Sequence, residues 1–541
     1  MVDVEKTNAP VIAYGTDDKL GMDDKDMVAH VEVIDGKGVT EWDAIRADAI
    51  KAEDAERSLG LIGSLKAYPT AAFWSFAISL LISESTSLIK ANFRKKFGHF
   101  NEMIDGQPDY QLTPAWRLAV NQAPNFGCLI GIFFAGIMQD RWGYKRTLQI
   151  GLIMLTGFIF IVFFAPTVEV LFIGEFLCGL PWGAFSSSAV SYASDVAPIG
   201  LRGYLTTYVN LCWVIGQIIA AGILRAANNI QGDRAYQVAF AVQWAWPIPL
   251  FILVTCAPES PWYLVRKGRL EDAKKSVSRL AAKGSKVDID ATVAMMVRTN
   301  QIEIDHSSGT SYLDCFKGTD LRRTIIGCMT WMCQQLCGMS LCGQAVYFFQ
   351  RAGMDSNNSF NMNLGVTFMA FAGTILSWIT LTYFGRRIPF VSGMFVMLVC
   401  LLIIGGLAFT HDSNAKWGQS ALVMIFVFTY DFTIGPLTYC IVGEVSSSRL
   451  RSKSVGLARN AYNIVSIVGG VLNTYFMNPT AWNLGPKSAF FWAVSCALAL
   501  VWCYFCLPEM RGRALREIDV LFERRVPARK FAKTEVDDLD E

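Results

Sequence analysis

Long apolar runs in this chain contain a few residues whose chemistry does not suit hydrocarbon. Gln217, Gln334, Gln335, Gln344, Asn460 and Asn463 carry neutral amides, which donate and accept hydrogen bonds from one side chain. Such a set suits a ligand rich in hydroxyls, which also donate and accept at once. The same amides would equally serve to cross-link helices. Glu84, Lys90, Glu175, Asp431 and Arg459 bring charge into the runs. A charge at the bilayer centre costs roughly 2.5–3.5 kcal/mol on insertion scales, so each needs a partner, a cavity or a function. Lys90 lies near a run's end, where its stem can reach the interface. Glu84, Asp431 and Arg459 are candidates for coupling to protons. An ion pair within the second half of the chain is the structural alternative for Asp431 and Arg459, and Arg459 needs an acidic or carbonyl partner wherever it faces.

The elements that position these groups follow from composition. Of 541 residues, 52% are hydrophobic and 17% charged, and mean hydropathy is +0.33. Soluble domains carry about 25% charged residues, so this chain lacks the charge to cover a water-facing surface. A soluble enzyme, a disordered regulator and a nucleic-acid module are excluded. A bilayer core of roughly 30 Å needs about 20 apolar residues per helix. Twelve such stretches can be marked: 67–89, 119–139, 147–166, 169–189, 205–226, 238–257, 325–348, 363–383, 389–409, 420–442, 455–476 and 488–507. The expectation is an all-α membrane protein of twelve spans. It divides into an acidic, disordered cytosolic tail (1–64), a six-helix half (65–257), a cytosolic segment with short helices (258–324), a second six-helix half (325–507) and a cytosolic C-terminal tail (508–541). Residues 1–60 hold 15 Asp/Glu against 7 Lys/Arg with no sustained apolar run, a solvated composition. Lys and Arg follow even-numbered spans at Arg141, Lys145, Arg146, Arg202, Arg266, Arg386, Arg387, Arg449 and Arg451. By the positive-inside rule both termini are cytosolic, with Arg94, Lys95 and Lys96 opposing the trend.

The two halves repeat. Asp195 precedes Arg202 by seven residues, and Glu444 precedes Arg451 by seven, at an offset of 249. Pro258-Glu259 recurs as Pro508-Glu509 at an offset of 250, and Gly143-Tyr-Lys-Arg146 as Gly385-Arg386-Arg387 at 242. Two parallel six-helix halves describe a class of secondary transporter with its site near the midplane between them. The repeated charges read as a cytosolic gate that latches the halves and releases as they rock: Asp140, Arg141, Arg146, Glu175, Asp195, Arg202, Arg386, Arg387, Glu444 and Arg451.

These residues also carry a resemblance. Asp140-Arg-Trp-Gly-Tyr-Lys-Arg146, Pro258-Glu-Ser-Pro-Trp-Tyr-Leu-Val-Arg266, Gly385-Arg-Arg387 and Pro508-Glu-Met-Arg-Gly512 resemble the sugar-porter branch of the major facilitator superfamily. Gly174-Glu-Phe-Leu-Cys-Gly-Leu-Pro-Trp-Gly183, Arg202-Gly-Tyr-Leu-Thr-Thr-Tyr-Val-Asn210 and Ala458-Arg-Asn-Ala-Tyr-Asn463 are similar to the fungal α-glucoside (maltose) permeases. The resemblance covers about residues 65–520. It implies the major facilitator fold, a small sugar substrate and transport across the plasma membrane by alternating access. It places sugar contacts on Gln217, Gln334, Gln335 and Tyr439, the last in the pattern Gly435-Pro436-Leu-Thr-Tyr439. The family's span-7 Asn is Ser340 here. Asn460 and Asn463 complete the candidate substrate-binding set.

The chain also departs from the family. The span-1 acid on which proton-coupled members rely is Thr86, and Glu84 is two residues away, roughly 200° round a helix. The usual Asp after span 8 is Thr382. Three readings stay open: an α-glucoside transporter, with or without proton coupling; a non-transporting sugar sensor; and a porter for a non-sugar or glycosylated metabolite. No cofactor, metal site, catalytic constellation or nucleic-acid partner is expected. Most of the 14 Cys lie in or at spans, where a free thiol acts as a small hydrophobe. The protein is expected to be a monomer in the lipid bilayer.

Overall fold

The computed structural model describes residues 47–79, 99–228, 241–282, 287–306, 311–342, 356–410, 413–477 and 482–536, apart from a few single positions and pairs within them. Glu84, Thr86, Lys90 and Gln344 lie outside the described residues. The helices used below are α1 (Gly60–Ala67), α2 (Pro69–Ser79), α3 (Pro114–Phe163), α4 (Val168–Val196), α5 (Ile199–Asn228), α6 (Pro247–Cys256), α7 (Pro261–Arg266), α8 (Leu270–Leu280), α9 (Ile289–His306), α10 (Gly318–Leu336), α11 (Met339–Cys342), α12 (Ser356–Phe384), α13 (Arg387–Leu407), α14 (Ser413–Phe432), α15 (Ile434–Val445), α16 (Arg451–Met477), α17 (Ala489–Cys506) and α18 (Leu515–Glu523).

Seven helices among the described residues are long and apolar enough to cross a membrane. The first, Leu118–Phe163, has 46 residues. At 1.5 Å per residue it measures roughly 70 Å, more than two bilayer cores. Gly143 resolves the excess. With φ 85° and ψ 175° it reverses the chain, so the two spans marked at 119–139 and 147–166 are separated by one non-helical residue rather than a loop. Two other spans break at their centres. Pro436 has no N–H to offer Phe432 and its ring crowds that carbonyl, so α14 and α15 part at Thr433 (φ −127°, ψ −82°). The helix carrying Gln334 and Gln335 stops at Leu336, and Gly338 (φ 99°) turns it into α11.

Glycines bring α3 and α4 together. Gly127 and Gly131 on one helix face Gly179 and Gly183 on the other, and a Cβ at Gly179 would lie 2.9 Å from the Cα of Gly127. Spacing of four puts each pair on one helix face, so the backbones close in as small-residue membrane interfaces do. In the second half, Phe390, Met394, Leu401 and Ile404 of α13 bury against Phe426 of α14 and Trp492, Cys496 and Cys503 of α17. A further core joins the halves: Ala189, Val190 and Val209 pack with Trp331, Tyr439, Val442, Val455 and Ala458. Large apolar side chains such as Phe134, Ile153 and Leu498 point outward, as a lipid-facing surface requires.

Two expectations are corrected and a third element is filled in. The acidic tail does not extend to residue 64: residues 47–52 and α1 are helical, with Ala49 and Ala52 buried. An antiparallel hairpin, His99–Ile104 with Gln107–Gln111, stands between the first two spans, and no strand was expected there. The C-terminal segment also folds. Ile518, Leu521, Phe522 and Phe531 are buried, and Asp519 pairs with Arg323 at the base of α10.

Gly179→Leu is expected to abolish the monodisperse peak in fluorescence-detected size exclusion, because the α3–α4 contact has no room for a side chain. Gly157→Leu, where a Cβ meets nothing within 4 Å, should leave that peak intact.

Candidate functional site

Two sets of polar residues lie at the junction of the halves: one at the arginine-rich end of the bundle, the other at the broken centres of α10 and α14–α15.

At the arginine-rich end the repeated charges pair across the junction. Asp195, at the end of α4, binds Arg451, the first residue of α16. Both side chains are wholly buried, and Ser260 Oγ donates a second hydrogen bond to Asp195 at 2.7 Å. Asp140 of α3 accepts from Lys453 and from Ser452 Oγ (3.0 Å). Ser194 Oγ donates to the Gly443 carbonyl at 3.1 Å. Thus each acid-to-Arg interval of seven residues is a repeat in sequence but not a pair in space. Glu444 instead holds Arg386 within the second half, through Nε (3.1 Å) and NH2 (2.7 Å). This is the bidentate geometry that makes Arg–carboxylate bonds strong.

Beneath these pairs lies a second, symmetric device. Glu259 accepts the backbone N–H groups of Tyr144 (3.0 Å), Lys145 (3.2 Å) and Ser260 (3.1 Å). Glu509 accepts those of Arg386 (2.9 Å), Arg387 (2.9 Å) and Arg511 (3.1 Å). In each case a carboxylate caps the start of a helical segment, where orphan N–H groups and the helix dipole favour negative charge. Gly143 and Gly385 make room for it. Both have positive φ, and a Cβ would fall 2.5 Å from Glu259 Oε2 or 2.6 Å from Glu509 Oε2. Burial pushes the Glu259 carboxyl above its ordinary value despite the three donors.

Not every expected gate residue belongs here. Glu175 is corrected: it lies twenty residues before Asp195 on α4, so helical rise puts it about 30 Å away, toward the other end. Arg141 and Arg146 are exposed and join none of the ion pairs among the described residues. Arg387 braces α17 through the Tyr504 carbonyl (2.6 Å). Arg202 is buried, its Nε without a partner among the described residues. Lys453, Ser452, Ser260, Glu259 and Glu509 were not among the expected gate residues. The Glu259 and Glu509 roles were readable, since the Pro-Glu and Gly repeats share nearly one offset.

At the centre, Gln334 Nε2 donates to the Gly435 carbonyl (3.0 Å), tying α10 to α15. Gln335 accepts from Ser340 Oγ (3.0 Å), while its own Nε2 bonds to nothing among the described residues. Tyr439 is buried, its ring edge-on to Trp331 with centroids 4.8 Å apart. Asn460 Nδ2 reaches across to the Leu129 carbonyl (3.2 Å); its Oδ1 and the Nδ2 of buried Asn463 have no partner among the described residues. Gln217 is exposed on α5.

Of the two alternatives for Asp431 and Arg459, the ion pair within the second half does not form. Arg459 has neither an acid nor a carbonyl among the described residues. Its guanidinium lies 4.4 Å from the centroid of Tyr462, 4.6 Å from Trp331 and 5.3 Å from Trp213. Aromatic faces carry negative potential and so stand in for the missing anion. Asp431 is bound by Asn210 of α5, whose Nδ2 donates to Oδ1 at 3.0 Å and also lies 3.3 Å from Thr374 Oγ1. Asn210 and Trp213 were missed, although they precede Gln217 by seven and four residues and share its helix face.

This architecture recurs in solved structures. XylE bound to 6-bromo-6-deoxy-D-glucose, a major facilitator superfamily proton:xylose symporter, matches with a TM-score of 0.71 at 18% identity, covering 84% of this chain and 98% of that one. Inward-open XylE from E. coli matches at 0.58, with 17% identity over 84% and 99%. The fold is that of the major facilitator superfamily, a class of multi-pass membrane transporters. The family model for sugar (and other) transporters matches residues 74–522, and the chain belongs to that family. It is similar to the maltose permease MAL31 of Saccharomyces cerevisiae, at 39% identity over 509 residues, covering 92% of this chain and 82% of that protein. The general alpha-glucoside permease of the same yeast is also 39% identical, over 504 residues, covering 91% and 81%. The protein is therefore a membrane transporter and not an enzyme.

Gly143→Ala and Gly385→Ala are each expected to lower the thermal midpoint of purified protein. A Cβ there would evict the capping carboxylate and hold a non-glycine residue at positive φ, a strain of about 1–3 kcal/mol.

Proposed function

We infer that the protein carries an α-glucoside such as maltose across the plasma membrane by alternating access, with both termini and the arginine-rich end in the cytosol. The observation that carries this reading is the closure of the junction at the arginine-rich end. The Asp195–Arg451 and Asp140–Lys453 pairs join the halves at the arginine-rich end, while the amides lie at the broken helix centres. The substrate class rests on the similarity to the yeast maltose and general alpha-glucoside permeases. The Gln335 amide, the Asn460 carbonyl and the Asn463 amide supply groups of both polarities with no partner among the described residues, as a pyranose needs.

Proton coupling is a further part of the reading, supported by likeness to a proton symporter. Of the candidates, Asp431 has the geometry for it: a buried carboxylate in one half, bonded to Asn210 of the other. Adding a proton to this carboxyl weakens the Asn210 bond, so proton occupancy and the joining of the halves are linked. Arg459, caged by aromatic rings, serves to orient the cavity wall. Glu84 stands as a candidate by sequence alone.

The test is uptake of labelled maltose by yeast lacking its own permeases. Accumulation above the outside concentration, collapsed by a protonophore, is expected. Asp431→Asn should reduce accumulation to equilibration while exchange persists. Gln335→Ala should raise the KM at least tenfold with surface expression unchanged. Equilibration alone in the unmodified protein would make it a facilitator. No uptake from the surface-expressed protein would remove maltose as substrate.

A further inference from the structure

Before α10 the chain makes a short turn, Ser311–Lys317, whose contacts reach both halves. Asp314 organises it, accepting the Ser311 N–H (2.8 Å) and Lys317 Nζ (2.9 Å). The Lys317 bond holds the Asp314 carboxyl below its usual range, so the turn is set at neutral pH. Cys315 is its anchor: it is wholly buried, its carbonyl accepts from Thr324 Oγ1 of α10 (2.8 Å), and its Sγ lies 3.7 Å from Ser454 Oγ of α16. The turn is thereby fixed to the second half of the chain.

Tyr312 reaches the other way. Its hydroxyl donates to the Phe133 carbonyl at 2.9 Å, with the Ile132 carbonyl at 3.5 Å, both on α3. Its ring meets Phe133 edge-on with centroids 5.4 Å apart, and Lys453 Nζ sits 5.9 Å from its centroid. Gly136 opens the space: a Cβ there would collide with the Tyr312 hydroxyl and stand 3.1 Å from Cζ. Burial, with the Asp140 carboxylate nearby, pushes the phenol well above its ordinary value, so it stays a donor. The turn thus connects α3 to α10 and α16, beside Asp140–Lys453.

We propose that Tyr312 is a positioning residue of the transport cycle, a hasp on the connecting segment that seats in the Gly136 cradle and holds the arginine-rich end closed. The closed state contains the Tyr312–Phe133 bond and the open state does not, because parting α3 from α16 withdraws the carbonyl from a turn anchored by Cys315. Tyr312 touches no substrate. It sets how much of the protein waits in the closed state, and so the apparent affinity on each side. This rests on the alternating-access reading above.

The test uses Tyr312→Phe, which keeps the ring and removes the donor. One net hydrogen bond corresponds to about fivefold in the closed/open ratio. The KM for uptake should rise by up to that factor, the KM for efflux should fall, and the maximal exchange rate should hold. Damaged folding or a damaged sugar site cannot produce that opposed pair of changes. Gly136→Ala should act in the same direction, and the double variant should add little to either single one. A readout without substrate separates this proposal from the substrate assignment: amide hydrogen exchange of intact protein in nanodiscs. Faster exchange across 133–142 and 451–456 in Tyr312→Phe, with the α13–α17 core unchanged, supports the hasp even if maltose is not carried. Unchanged exchange at those segments, or both KM values moving together, would overturn it.

Discussion

A buried ion pair at the junction of the two halves is the constraint on which the closed arrangement depends. Asp195 and Arg451 are both withdrawn from water, at a cost of several kcal/mol for each ion that their mutual contact and the Ser260 hydrogen bond offset. Neither can stay buried once the other leaves, so the pair has two low-energy situations: joined, or apart and wet. This two-valued behaviour is what a rocking transporter needs at one end. Around the pair, Ser260 positions Asp195 through a 2.7 Å hydrogen bond, and the Asp140–Lys453 contact adds a second fastening.

The two halves use their repeated residues unequally. Glu259 with Gly143, and Glu509 with Gly385, form equivalent caps that hold each half together. The acids at the ends of α4 and α15 do not behave alike. Glu444 stays within its half by taking Arg386, leaving Arg451 for Asp195 across the junction. Symmetry therefore builds the rigid bodies, and its breaking builds the contact between them. Central Asp431 repeats the principle with a neutral partner: Asn210 bonds it across the junction without fixing the charge that a guanidinium would.

Much of this was legible in the sequence because lipid restricts what a chain can do. Apolar length marked the spans, arginine placement marked one end, and residue repeats marked the paired halves. Breaks were legible only in part. Pro436 signals the α14–α15 break, but nothing in the spacing of residues 140–146 says that Gly143 alone suffices to reverse the chain. Partners were the weakest inference. Sequence places Arg459 at membrane depth and asks for an anion; three aromatic rings answer instead, a solution carried by Trp213, Trp331 and Tyr462 from three different helices. Glu175 carries the same charge as the gate acids, but its place along α4 sets it most of a helix length from them. The cross-pairing of Asp195 with Arg451 was hidden because sequence repeats show equivalence, not contact.

On this reading Asp195–Arg451 keeps the arginine-rich end shut. This is tested most directly by electron–electron distance measurement between spin-labelled unnatural residues at exposed positions 146 and 511, one on each half, in Asp195→Asn and in the unmodified chain. Removing the acid leaves Arg451 buried and unpaired, a penalty of about 3–5 kcal/mol on the closed state. The main distance population should therefore shift to a longer separation. A distribution unchanged by Asp195→Asn, in protein that is folded and monodisperse, would contradict it.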